Sequence, residues 1–149
     1  MINQTLQTIF VRDLNKLKKE LELYSNEADL WKTEKLIANS AGNLCLHLVG
    51  NLNTYIGTTL GNTGYIRNRD LEFSQKDVPR KELVQKIEAT ITMIENVMPT
   101  VSEEKLKEEY PMLVLAEKTS TEFFLVHLAA HLSYHLGQVN YHRRLVAAK

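Results

Sequence analysis

Apolar residues recur every three or four positions through most of this chain, the period of a helix with one face turned to a core. Leu6, Phe10, Leu14, Leu17 and Leu21 form the first stripe, with Lys16, Lys18, Lys19 and Glu20 outside it, and predict a helix over residues 5–24. A polar break at residues 25–29 follows, after which Leu30 and Trp31 are expected to fold back onto the core. A second helix is predicted over residues 40–60, with Leu44, Leu48, Leu52 and Ile56 inward. Asn43, His47 and Asn51 make a polar ladder at steps of four beside that line.

Residues 57–80 lose the period and read as a long loop, with a turn at Gly61-Asn62-Thr63-Gly64 and dense charge at Arg67-Asn68-Arg69-Asp70-Leu71-Glu72-Phe73. Loops of this length inside a compact domain tend to be functional or mobile. Arg67 and Arg69 read either as a pair facing a substrate or as part of a solvated, self-paired charge cluster. Asp77-Val78-Pro79 opens a third helix that runs to Val97, with Leu83, Ile87, Ile91, Ile94 and Val97 inward and Pro99 ending it. Beyond it, residues 102–109 fit a short helix, and residues 112–115 a short strand or a buried loop. Thr119-Ser120-Thr121-Glu122 has the form of a capping box, with Thr119 as N-cap, and starts a last helix reaching about Ala148. Its apolar line is Phe124, Leu128, Leu132, Val139 and Leu145, and Arg143, Arg144 and Lys149 suit its C-terminal dipole. Four main helices predict an all-α four-helix bundle, one domain over residues 1–149, with a long loop between helices 2 and 3.

Composition narrows the partners. A chain of 149 residues can bury a core without staples. A formal net charge of zero gives no basic surface for nucleic acid. No apolar run approaches the roughly 20 residues of a membrane span. The start, Met1-Ile2-Asn3-Gln4-Thr5, lacks a signal-peptide layout, and the lone Cys45 forms no internal disulfide framework, so a cytoplasmic protein is expected.

The candidate chemistry lies in the last helix, where His127, His131 and His135 fall at steps of four on one face. An unpartnered buried imidazole costs roughly 1–3 kcal/mol, so a row of them calls for a ligand. His127 and His135 are separated by roughly 12 Å along the axis, too far to share one ion. Either His127 with His131 or His131 with His135 can converge on a metal, and a third ligand must come from elsewhere, where His47 stands. Three histidines with an open position make a catalytic type of site. No Glu follows the first His as in zincins, and there is no Glu-x-x-His repeat as in di-iron bundles. No carboxylate is near any of the histidines in sequence, so neutral nitrogens are expected to hold Zn, Ni or Fe(II) rather than Mg or Ca. Cys45, nearly opposite His47 on its helix, reads as a packing cysteine.

The segment Gly42-Asn43-Leu44-Cys45-Leu46-His47-Leu48-Val49-Gly50-Asn51, the charged 67–73 loop and the closing His131-Leu132-Ser133-Tyr134-His135-Leu136-Gly137-Gln138 together resemble the DinB-like superfamily. These are four-helix bundles related to the YfiT-like proteins and to thiol-dependent transferases and isomerases. The resemblance spans almost the whole chain and selects His47, His131 and His135 as ligands of a divalent metal, Zn or Ni. It leaves His127 one turn away, where a base is wanted. His127 and Tyr134 are then candidate catalytic groups, and Asn43, Asn51, Gln138, Arg67 and Arg69 candidate supports or substrate contacts. Gly137 reads as allowing close helix packing. The resemblance implies a small-molecule electrophile as substrate, a low-molecular-weight thiol such as bacillithiol as cosubstrate, and a homodimer. Two readings follow: a metal-dependent thiol S-transferase or related hydrolase or isomerase, and a non-catalytic metal- or ligand-binding stress-response protein of the same fold.

Overall fold

In the computed structural model, which describes residues 1–147, the apolar stripes become helices and no strand forms among the described residues. Helix α1 spans Ile2–Glu22 and buries Leu6, Phe10, Leu14, Leu17 and Leu21, the whole predicted stripe. A 3-10 turn at Glu27–Trp31 then buries Leu30 and packs Trp31 against the core.

Helix α2, Ala41–Leu52, starts at Ser40, whose hydroxyl accepts a hydrogen bond from Asn43 N at 3.2 Å. Every residue from Ala41 to Leu52 is buried, so α2 is the central helix, covered on all sides. It runs on through a π turn, Asn53–Thr58, and a last turn, Thr59–Gly61, before Asn62 at φ 50° ends it. Helix α4, Arg80–Val97, follows Pro79 and buries Leu83, Ile87, Ile94 and Val97, with Ile91 at the edge. Helix α5, Glu103–Lys107, is capped by Ser102. Helix α6 is Thr121–His142, continued by a π turn over Arg143–Ala147. Helix α1 packs against α4 and α6, and α2 packs against the same two helices.

Several expectations are corrected. Within the stretch read as loop, residues Arg69–Ser74 form a short helix, α3, capped by Asn68 and packed on α2. Six residues are too few to show a periodic stripe, and such a helix persists through tertiary contacts. Residues 112–115 form no strand: Met112, Leu113 and Val114 are exposed, and only Leu115 is half-buried against the core. The N-cap of α6 is Ser120, which accepts from Phe123 N, rather than Thr119. The Thr119 carbonyl accepts from Tyr110 N at 2.8 Å in an extended pairing, so the helix begins one residue later. Leu145 is 53% exposed, and Val146 takes the inward place, seven residues after Val139. A Cβ on Gly137 would meet nothing within 4 Å, so that glycine permits no close helix contact. Lys149 and the expected helix end at Ala148 lie outside the described residues. Among the described residues, no helix is long and apolar enough to cross a membrane.

Candidate metal centre

The four-residue step of α6 sets His131 above His135, and their Nε2 atoms lie 3.1 Å apart. Because α2 packs against α6, His47 Nε2 comes within 3.3 Å of His131 Nε2. One ligand nitrogen from each of the three lies within 4.8 Å of the others. Bonds of about 2.0–2.1 Å at tetrahedral angles would put ligand nitrogens about 3.3 Å apart. Of the two pairs that helix geometry allows, the fold therefore gathers His131 with His135. The His127 ring stands off, its centroid 6.3 Å from that of His131.

Protons alone do not suit this arrangement. His47 Nδ1 lies 3.1 Å from Glu72 Oε1, an oxygen that can only accept, so this nitrogen carries the proton. His135 Nδ1 donates to Gln138 Oε1 at 2.7 Å. Both outer imidazoles therefore turn bare Nε2 lone pairs toward His131 Nε2. His131 can give a proton to one of them only, and a cation satisfies all three at once. Burial, then the like charges of His135, His47, His127 and Arg67, push His131 down to about 4, so its lone pair is free near neutral pH. His135 is lowered as well, by burial first and by His47, against the opposing hydrogen bond of Gln138.

Glu72 overturns the expectation that no carboxylate stands near a histidine. It comes from α3, 25 residues from His47 in sequence, and no local spacing links the two. Its carboxylate also takes Arg67 Nε at 2.8 Å and Nη2 at 3.0 Å. Burial would raise its pKa, but hydrogen bonds from His47 and Arg67 hold it below the usual carboxylate range. Phe73, also unassigned from the sequence, packs its ring 5.0 Å from that of His47.

The other predicted residues divide by place. Asn51, Arg67, Arg69 and His127 line a cleft of about 370 Å³ that opens beside His47 and His131 and is overhung by Met112, Leu113 and Val114. Two buried polar atoms of residues on its walls, Asn51 Oδ1 and His131 Nδ1, have no hydrogen-bond partner among the described residues. Arg67 is the self-paired member of the charged segment, whereas Arg69 is exposed at the cleft. Asn43 works behind the site. Its amide donates to the Glu72 and Gln75 carbonyls at 2.9 and 2.8 Å, tying the end of α3 to α2. Gln138 orients His135, and Tyr134, 66% exposed, sets its ring edge-on to His135 outside the cleft wall. Cys45 is fully buried, as a packing residue should be.

No curated protein matches this chain. Its residues 4–149 match the family described as "Protein of unknown function (DUF1572)", and the chain belongs to that family.

Proposed function

We propose that this protein is a metal-dependent enzyme of the DinB-like four-helix-bundle type, in which His47, His131 and His135 hold one divalent ion, Zn or Ni before Fe(II). The observation that carries this reading is the convergence of three Nε2 atoms at 3.1 and 3.3 Å with two of the rings oriented by Glu72 and Gln138. When bound, such an ion lowers the pKa of a coordinated water toward 7 or stabilises a thiolate.

The chain's own residues favour a small anionic substrate. Among the described residues no acidic side chain lines the cleft, Arg69 faces it, and the adjacent Glu72 is already neutralised by Arg67. His127 faces the same space and is our choice for moving a proton there, ahead of solvent-turned Tyr134. The resemblance to thiol-dependent transferases supports a low-molecular-weight thiol as cosubstrate and an electrophile as its partner, hence thiol S-transfer or a related hydrolysis or isomerisation. Exposed Phe123, Val126, Tyr134 and Tyr141 on α6 support a homodimer, and the buried, unpaired Cys45 accords with a reducing cytoplasm.

One observation favours the non-catalytic alternative. The carboxylate at the site is committed to Arg67 and His47 and is not free as a base. The test is metal content of the purified protein and of His135→Ala, followed by a screen of thiols against electrophiles with and without chelator. About one ion per chain, lost in the variant, with chelator-sensitive turnover, is the expected result. A wild type that takes up no ion after reconstitution would sink the reading. Metal without turnover would leave the binding protein.

A further inference from the structure

We infer that Glu72 is a positioning residue of the metal centre, seated against α2 at Gly50 and clamped by Arg67 so that it fixes His47 as the Nδ1–H tautomer with Nε2 turned to His131 and His135. This rests on the three-histidine reading and extends it to residues outside the ligand set.

Three independent features build the device. The first is the clamp. Arg67 Nε and Nη2 take Glu72 Oε2 and Oε1 at 2.8 and 3.0 Å, and Oε1 also faces His47 Nδ1 at 3.1 Å. Arg67 Nη2 also lies 3.4 Å from the same nitrogen, a longer contact than its 3.0 Å bond to Glu72 Oε1, and the carboxylate oxygen at 3.1 Å, which can only accept, favours Nδ1 as the donor. The Glu72 side chain is only 6% exposed. A buried ion pair is weak evidence for stability, since apolar residues of like volume serve as well or better. Its retention beside a histidine is explained by what it does to that histidine. Histidines that bind metals generally donate their other N–H to a carboxylate or carbonyl, which sets the tautomer and raises ligand basicity.

The second feature is the seat. Gly50 lies three residues beyond His47 on the same helix. A Cβ there would fall inside the Glu72 carboxylate, 2.7 Å from Cδ. Gly50 has no positive φ, so its backbone needs no glycine. Glycine inside a helix is less favourable than alanine, and here what it provides is room for the carboxylate.

The third is the mount. Helix α3 is held at its start by Asn68, which accepts from Leu71 N at 3.3 Å, and at its end by the Asn43 amide on the Glu72 and Gln75 carbonyls. Asn43 and Gly50 lie on either side of His47 along α2, so one helix carries the ligand and both fixings for the residue that orients it.

The experiment uses full-length protein labelled with ¹⁵N-histidine, wild type, Glu72→Gln and Gly50→Ala. Ring tautomers are read by long-range ¹H–¹⁵N NMR on chelator-treated protein, and Zn affinity by competition with a chromophoric chelator. Glu72→Gln keeps the shape but leaves one acceptor oxygen. Arg67, always a donor, takes that oxygen, and the amide NH₂ is left against His47 Nδ1. The expected result is His47 as Nδ1–H in the wild type, a shift toward Nε2–H in Glu72→Gln, and about 10- to 100-fold weaker Zn binding with stoichiometry kept. Gly50→Ala should reproduce both changes with the carboxylate still present. If Gly50→Ala does not fold, the isosteric Glu72→Gln decides alone. A wild type that binds Zn beside folded variants with unchanged tautomer and affinity would overturn the role of Glu72. A wild type that binds no Zn would overturn the three-histidine reading and this role with it.

Discussion

His142 Nδ1 lies 2.7 Å from the Tyr24 hydroxyl, and its Nε2 lies 2.8 Å from the Lys32 carbonyl. Nε2 therefore carries the proton and donates to Lys32 O, while Nδ1 accepts from Tyr24. Both ring nitrogens of this buried histidine are used, and it ties the end of α6 to the chain that follows α1. It is the counter-example to the row above it: a histidine satisfied by protein alone. His142→Phe is expected to lower stability by about 1–3 kcal/mol through the loss of its two hydrogen bonds, the Tyr24 hydroxyl keeping its longer contact with the Val139 carbonyl at 3.4 Å. Metal stoichiometry should not change. Urea unfolding and elemental analysis on the same sample check both halves, and loss of metal would contradict the assignment.

Stability of the metal-free protein should fall in mild acid. The folded His131 is pushed from 6.5 down to about 4, first by burial. Between those values the unfolded chain binds the proton that the folded one refuses, so stability is complete above pH 6.5 and lost as pH drops toward 4. His135, also lowered, acts in the same direction. Glu72, held below its usual range, adds a second loss beneath pH 4.5. The urea midpoint of chelator-treated protein is expected to decrease from pH 7 to pH 5, with a shallower decrease in His131→Leu. An equal midpoint at the two pH values would refute it.

Cys45 should be silent in the native state. It is wholly buried and burial pushes its thiol up to about 12, so neither access nor thiolate is on offer. A disulfide exchange reagent is expected to titrate no thiol in folded protein and one per chain in denaturant. Rapid native reaction would show that α2 opens.

Asn43→Ala should act at a distance. The variant leaves the Glu72 and Gln75 carbonyls without their donor, at an expected cost of about 1–3 kcal/mol. Because α3 carries Glu72, Zn affinity should fall as well, although no ligand is touched. Chemical denaturation together with chelator competition measures the pair of effects. A variant destabilised but unchanged in affinity would mean that α3 holds its place without Asn43.

The amino-acid sequence by itself determined the long helices, the buried lines along them and the row of histidines on α6. These are local properties, since a stripe at steps of three and four names its own inner face whatever packs against it. Tertiary structure decided what meets at that face. Helix geometry left two histidine pairs equal, the family resemblance pointed to His131 with His135, and the packing of α2 on α6 brings His47 to that pair. Glu72 was out of reach of any spacing rule because α3 is too short to announce itself and is held by Asn43, Asn68 and the room at Gly50. A non-local contact likewise accounts for Ser120 displacing Thr119 as a cap, since the Thr119 carbonyl is taken by Tyr110 N. Val146 takes the inward place over Leu145 because it lies seven residues after Val139, two turns along the same face.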